Sequence, residues 1–368
     1  MKSLVSALVA AACLSSVVAP ASADVATADI SASVDALFAP WNRADGPGCA
    51  VAVVNDGKVV HERGYGMANL DYGIAITPDT VFYIASVSKQ FTAAAIALLA
   101  EEKKISLDDD LRKYVPEIPA YQKPILVRHL VHHTSGLRDY LELWTKSGRS
   151  YADSIPEAEA IASIARQDAL DFTPGSAYYY SNSGYFLLSV IVKRASGKPL
   201  SQYAQEKIFG PLGMKNTHFH DDRSRVVPNR ATAYFKNKAD ETAFSEFRTS
   251  YDLVGDGGVL TTVRDLVRWD QNFYQNKLGT RGAALISQLE STEPLTNGNP
   301  GEYAFGLLRR EIGGMKAIGH PGTFIGFKAD YVRIPAQRTS MITLCNGDVE
   351  VTKLSSSVLS AYRPTPRS

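Results

Sequence analysis

Ser86-Val87-Ser88-Lys89 opens an apolar stretch with helical spacing. On a helix, residues three apart share a face, so Lys89 lies one turn from Ser86 and reaches its hydroxyl. A serine hydroxyl is a weak nucleophile until a neighbour takes its proton. Lysine can do so where burial or nearby positive charge lowers its pKa. A helix N-terminus adds unpaired N–H groups suited to an oxyanion. Ser86 and Lys89 are the chain's only Ser-x-x-Lys pair. A second group is Tyr180-Ser181-Asn182, which follows Thr173-Pro174-Gly175 in a polar, aromatic loop. A Tyr hydroxyl beside an ammonium can shuttle protons, and an Asn amide can donate to a substrate carbonyl. A third is Gly319-His320-Pro321-Gly322-Thr323, at the end of an expected strand. Taken singly, these read as a helix start, a loop-packing aromatic and a structural histidine. A further Tyr-x-Asn, Tyr274-Gln275-Asn276, falls near the end of an expected helix and reads as chance.

The elements that must hold these groups follow from hydrophobic patterning. Ile30 to Trp41 reads as an amphipathic helix. Cys49 to Val54 and Val59 to Tyr65 read as strands joined through Asn55-Asp56-Gly57, a strong hairpin signal. Thr80 to Ile84 is extended, and a helix follows from about Val87 to Glu102. The middle is mainly helical, with helices expected at Pro124 to His132, Ile155 to Gln167, Tyr185 to Ala195 and Tyr203 to Ile208. After Gly255-Asp256-Gly257-Gly258 comes a helix from Thr262 to Tyr274, with Thr262 as N-cap and Asp265 completing a near-capping box. Strands are expected at Phe305 to Ile312, Lys316 to His320, Gly326 to Ile334 and Thr339 to Asn346, before a closing helix from Val351 to Tyr362. Strands at both ends must pair across the helical middle. That implies an α/β domain with an antiparallel sheet built from both chain ends and a mainly helical insert. The α/β part covers about 30–90 and 255–368, and the insert about 91–254. A site at the seam is the default pocket.

The 368 residues are 45% hydrophobic and 21% charged, which excludes disorder. Lys plus Arg is 39 against 38 Asp plus Glu, a formal net charge of +1. That excludes a protein whose main task is coating nucleic acid or an anionic membrane. Residues 1–23 read as a signal peptide. Lys2 is followed by a short, mostly apolar run from Leu4 to Val18 and then the small-x-small triplet Ala21-Ser22-Ala23. Cleavage after Ala23 leaves Asp24 first and an exported chain of residues 24–368, periplasmic or extracellular. No other segment is long and apolar enough to span a bilayer. Ala10-Ala11-Ala12 makes a poor lipid-attachment box for Cys13. Cys49 and Cys345 remain after export and allow one bridge at most; a buried free thiol is the plainer reading of each.

Together, and in this order, serine-x-x-lysine, tyrosine-x-asparagine and lysine-or-histidine-x-glycine resemble the signature of the penicillin-recognising serine hydrolases. The branch that the chain resembles holds class C β-lactamases and D-alanyl-D-alanine carboxypeptidases. Leu130-Val131-His132-His133-Thr134-Ser135-Gly136-Leu137, Pro211-Leu212-Gly213-Met214 and Gly257-Gly258 resemble the family too, so the likeness runs from about Phe38 to Ala361. The resemblance implies that Ser86 is acylated and that Lys89 and Tyr180 share the base work. It implies that Asn182 holds the substrate's acyl-side amide and that His320, in the place of a Lys, steadies the charge around Tyr180. The oxyanion hole would be the N–H groups of Ser86 and Thr323, with Gly322 beside them in the binding strand. The implied substrate is a small peptide, amide or ester, with D-amino-acid or cell-wall peptides favoured, as for a D-alanyl-D-alanine carboxypeptidase or D-aminopeptidase. β-Lactams would be acylating ligands. The alternatives are a β-lactamase or broad esterase and, from another class, a penicillin-binding receptor without turnover. No cofactor and no metal is implied.

Two departures bear on substrate. A neutral His320 offers less positive charge than Lys, which counts against an efficient β-lactamase; at its ordinary pKa of about 6.5 it would also set an acid limb on activity there. Pro321 replaces a Thr that often meets a substrate carboxylate, so preference for a free carboxylate is expected to weaken. The resemblance puts this strand at the sheet edge, where Pro costs no ladder bond. It also makes the first and last strands antiparallel neighbours, which would let Cys49 and Cys345 bridge. His218-Phe219-His220-Asp221-Asp222 has metal-ligand residue types but no defined zinc spacing. His132 and His133 read as capping or packing a helix end.

Overall fold

Side chains along a strand alternate between its two faces, and in Cys49–Asn55 (β1) both sets are apolar. Ala50, Ala52 and Val54 enter one core cluster, whereas Cys49, Val51 and Val53 enter another. This strand must therefore lie inside a sheet covered on both faces. The structure is a computed structural model that describes residues 21–240, 243–247 and 249–361. In it, β1 turns through Asp56 and Gly57, at φ of 50° and 74°, into Lys58–Tyr65 (β2). Two left-handed residues are what a two-residue hairpin needs to match strand twist.

Four C-terminal strands complete the sheet: Leu308–Ile312 (β3), Met315–Phe324 (β4), Phe327–Ile334 (β5) and Thr339–Cys345 (β6). The order is β3-β4-β5-β6-β1-β2, antiparallel throughout. Cys49 lies opposite Cys345 in the β1–β6 ladder, and a disulfide joins the two. The outer face is covered by Ala21–Phe38 (α1), through Ile30, Val34 and Phe38 at four-residue spacing, and by Val351–Ala361 (α10), through Val358 and Leu359. The inner face shares a continuous apolar cluster with the helices Lys89–Glu101 (α2) and Asn182–Ser196 (α6).

Several elements differ from the sequence expectation. α1 starts at Ala21, nine residues before Ile30 and across the expected cleavage position; residues 1–20 of the expected leader lie outside the described residues. The helix expected from Val87 is split into a 3-10 turn, Ala85–Ser88, and α2. Pro124 to His132 contracts to Val127–Val131 (α3), Ile155 to Gln167 to Glu157–Ala165 (α5), and Tyr203 to Ile208 gives way to Leu200–Ala204 (α7). Tyr140–Lys146 (α4) and Ala283–Leu289 (α9) were not expected. Helices of seven residues are marginal without tertiary packing, so their sequence signal is weak. Val263–Asn272 (α8) has Thr262 as its cap, the hydroxyl accepting from Asp265 N–H at 3.1 Å. The reciprocal half of the capping box is absent: the Asp265 carboxylate instead accepts from Asn216 N–H and the Thr217 hydroxyl. β4 extends four residues past His320 and is not an edge strand along its whole length. β3 covers it as far as Gly319, so only the part from His320 onward, Pro321 included, borders the open edge. Among the described residues no helix is long and apolar enough to cross a membrane.

Candidate active site

The turn that carries Ser86 hangs from a small sheet in which Val259–Thr261 pairs with Phe82–Tyr83 on one side and His218–Phe219 on the other. Ser88 ties the turn back to that sheet, its hydroxyl accepting from Val259 N–H at 3.1 Å. Ala85, next to Ser86, is held at φ 46°. A non-glycine residue in that region is strained, and such strain persists only where the surroundings impose it. Ser86 Oγ accepts from Tyr180 OH at 2.9 Å and from Lys89 Nζ at 3.2 Å. Of the three groups picked from sequence, two thus converge on one oxygen.

Lys89 is wholly buried at the first turn of α2. Its ammonium donates to Ser86 Oγ, to Asn182 Oδ1 at 2.8 Å and to the Asp256 carbonyl at 2.5 Å, which uses all three of its N–H groups. Burial pushes its pKa down to about 8, against the opposing carboxylates of Asp256 and Asp139. On losing a proton the amine keeps two N–H groups. Asn182 Oδ1 and the Asp256 carbonyl can only accept, so they retain those two donors. The lone pair is left for Ser86, the one partner able to donate. Burial moves the Tyr180 phenol the other way, well above its ordinary range, so it remains a neutral donor. Of the two, Lys89 is the group able to accept a proton near neutral pH, and Tyr180 the one able to donate.

Tyr180 and Asn182 are fixed from behind by Asp139, which the sequence reading did not single out, and by His133, which it read as a capping or packing residue. Asp139 caps α4 through Leu141 N–H and also accepts from Asn182 N–H at 2.6 Å. Of the two expected roles, His133 takes the packing one. It sits at φ 56°, fully enclosed, packs tilted against Tyr180 at 4.3 Å between ring centroids, and accepts from Ser181 N–H at 3.2 Å. His132 does end α3, with Nδ1 donating to the Tyr303 carbonyl at 2.8 Å. Leu130 to Leu137 was part of the resemblance drawn from sequence, whereas nothing in the sequence reading pointed to Asp139; only the fold shows that they back the site. Asp256 was visible only as part of a Gly-rich loop. Its buried carboxylate, raised to about 6 by loss of solvent, accepts from Tyr140 OH at 3.1 Å.

His320 is the correction at this site. Its Nδ1 lies 2.5 Å from the Pro321 carbonyl and therefore carries the proton. Burial, followed by the nearby Lys89 charge, drives its pKa to about 3. The imidazole is neutral, and no positive charge replaces that of a Lys there. It stands 6.0 Å from the Tyr180 ring, centroid to centroid, as a polar wall. Gly322 lets β4 press against the nucleophile turn, since a Cβ there would meet the Ile84 carbonyl at 2.3 Å. Thr323, next along, is exposed and lines a cavity of about 300 Å³ with Ser86, Asn182 and Asp256. Tyr274 and Asn276 lie at and beyond the end of α8 and take no part. Among the described residues no group of three or more His, Cys, Asp or Glu could hold a metal.

The family model described as beta-lactamase matches residues 32–356. The chain belongs to the beta-lactamase family of serine hydrolases. This family member is similar to the D-aminopeptidase of Gluconobacter oxydans (strain 621H), at 30% identity over 345 residues, covering 93% of the chain and 63% of that relative. It is also similar to the D-aminopeptidase of Brucella anthropi, at 31% over 301 residues, covering 82% of the chain and 56% of the relative. It thus spans less than two thirds of the length of either. Among solved structures, the octameric penicillin-binding protein homologue from Pyrococcus abyssi matches with a TM-score of 0.78 and 26% identity, covering 90% of this chain and 76% of that one. The D-amino acid amidase from Ochrobactrum anthropi SV3 shares the fold, with a TM-score of 0.74 at 23% identity over 90% of this chain and 98% of that one.

Proposed function

We propose that the protein is an exported serine hydrolase that forms an acyl-enzyme at Ser86 and cleaves amide bonds of D-amino-acid peptides or amides. The observation that carries the reading is the convergence of Lys89 and Tyr180 on Ser86 Oγ, with the Lys89 lone pair free for that oxygen alone. The D-aminopeptidase relatives, similar over most of this chain, support the substrate class. Neutral Lys89 takes the Ser86 proton as Oγ attacks the carbonyl carbon. The oxyanion is held by the N–H groups of Ser86 and Thr323, at the contact that Gly322 permits. The leaving nitrogen takes its proton from Tyr180, which is restored from Lys89, and the amine departs. Water then attacks the ester, with the same groups acting in reverse. Asn182 turns Oδ1 to Lys89, which leaves its NH₂ for the substrate's acyl-side amide.

Hydrolysis of D-alanine 4-nitroanilide and of its L isomer, by the wild type and by Ser86→Ala, tests this. The D-anilide should be cleaved at least about tenfold faster, and Ser86→Ala should lose about a thousandfold or more. Amine release that survives Ser86→Ala would sink the mechanism. Intact mass after benzylpenicillin separates the rivals: a lasting adduct favours a carboxypeptidase or receptor, and drug loss without an adduct favours a β-lactamase. Export predicts a mature chain that begins at Asp24 in the periplasm or medium, read by N-terminal sequencing.

A further inference from the structure

A second cavity, of about 290 Å³, adjoins that of Ser86, and Tyr83, Phe324 and Ile325 line both. Its wall is largely apolar, with Ala231, Ala233, Phe247 and Phe327, and it carries one guanidinium, that of Arg230. The backbone there is fixed: Val81 N–H donates to the Asn229 carbonyl and Ala231 N–H to the Val81 carbonyl, each at 2.9 Å. Arg230 forms no ion pair among the described residues. Glu246 also lines the cavity and has an interaction of its own.

The polar partner of Arg230 is an imidazole: Nη1 lies 3.3 Å from His220 Nε2. A guanidinium only donates, so His220 accepts with Nε2 and bears its proton on Nδ1, which faces His218 Nε2 at 3.4 Å. Burial, with the arginines nearby, holds both imidazoles near a pKa of about 4, hence neutral. Two neutral rings aim the guanidinium without cancelling its charge. An exposed guanidinium that lines a largely apolar cavity beside the acyl site is complementary to a carboxylate, which it binds by two parallel hydrogen bonds.

We propose that Arg230 is a specificity residue that binds a carboxylate on the substrate, so that the enzyme prefers peptides carrying a free acid to their amides. The inference rests on the peptide-hydrolase reading of Ser86, and it replaces the weaker acid preference expected from Pro321 with a preference met by another residue. It also assigns a role to His218 and His220, which position the guanidinium.

Direct binding tests it without turnover. In the Ser86→Ala background, calorimetric titration compares D-alanyl-glycine with D-alanyl-glycinamide. The acid should bind about tenfold more tightly than the amide. Adding Arg230→Gln should remove that ratio and leave binding of the amide intact, whereas Arg230→Lys should retain part of it. Thermal melts confirm that each variant is folded. Equal affinities in the Ser86→Ala protein, no detectable binding of either ligand, or a ratio that survives Arg230→Gln would overturn the proposal. If the acid binds in this Arg230-dependent way while wild-type enzyme leaves the peptide uncut, the peptidase reading fails and the subsite stands.

Discussion

At the scale of single residues, the free enzyme is governed by two buried groups moved in opposite directions. Lys89 is lowered to about 8 and Asp256 is raised to about 6. The base must be neutral, and its neutral fraction rises through its pKa. Acylation, read as kcat/KM, should therefore climb with pH and level off above about 8. Asp256 is ionised over that range, and its charge supports the Lys89 ammonium. Asp256→Asn removes the charge, so the midpoint should move to lower pH. Below about 6 Asp256 takes up its own proton, so the wild-type acid limb should be shallower than a single ionisation, and this variant should restore the single step. His320 ionises near 3 and contributes nothing between pH 5 and 7. The limb near 6.5 that an ordinary imidazole would impose should be absent, and His320→Gln should change the height of the profile but not its shape.

At the scale of elements, the proposed oxyanion hole depends on how closely β4 approaches the turn that carries Ser86. Gly322→Ala places a methyl group against the Ile84 carbonyl and must push the two apart. One displaced oxyanion donor costs about 10²-fold or more in kcat. The expected result is a loss of that order with a shift of only a few degrees in Tm; a normal kcat would remove Thr323 from the hole. Asp139 links α4 to the start of α6 through Leu141 and Asn182. Asp139→Ala should cost about 1–2 kcal/mol of stability through the lost cap. It should lower kcat further by releasing Asn182, a difference that a denaturation curve and a rate assay separate.

For the whole molecule, the sheet joins chain ends that lie almost three hundred residues apart, and the Cys49–Cys345 bridge spans 296 of them. A cross-link over so long a loop restricts the unfolded chain strongly, and its removal typically costs about 2–4 kcal/mol. Cys49→Ser with Cys345→Ser should lower the denaturation midpoint accordingly while leaving kcat near normal, since neither residue faces the cavity. Thiol titration under denaturing conditions without reductant should find none in a chain beginning at Asp24. It should find one, Cys13, where the leader is retained.

The sequence by itself brought out the candidate groups of the site and the strand pattern. Ser86 and Lys89 are three apart at a helix start, and the hairpin is written in Asn55-Asp56-Gly57, because such signals are local. The residues of β1 are apolar on both faces, which already demanded a buried central strand. The ends of the elements were less legible. β4 runs on past His320 because β5 pairs with it as far as Phe324, and α4 exists because packing completes what seven residues cannot. Only the tertiary structure decided the charge states. Lys89, Asp256 and His320 each depart from their ordinary pKa because the fold removes water around them, and no spacing along the chain encodes that loss. The same holds for Arg230, whose own neighbours in sequence show nothing of the cavity or of the imidazoles that hold it.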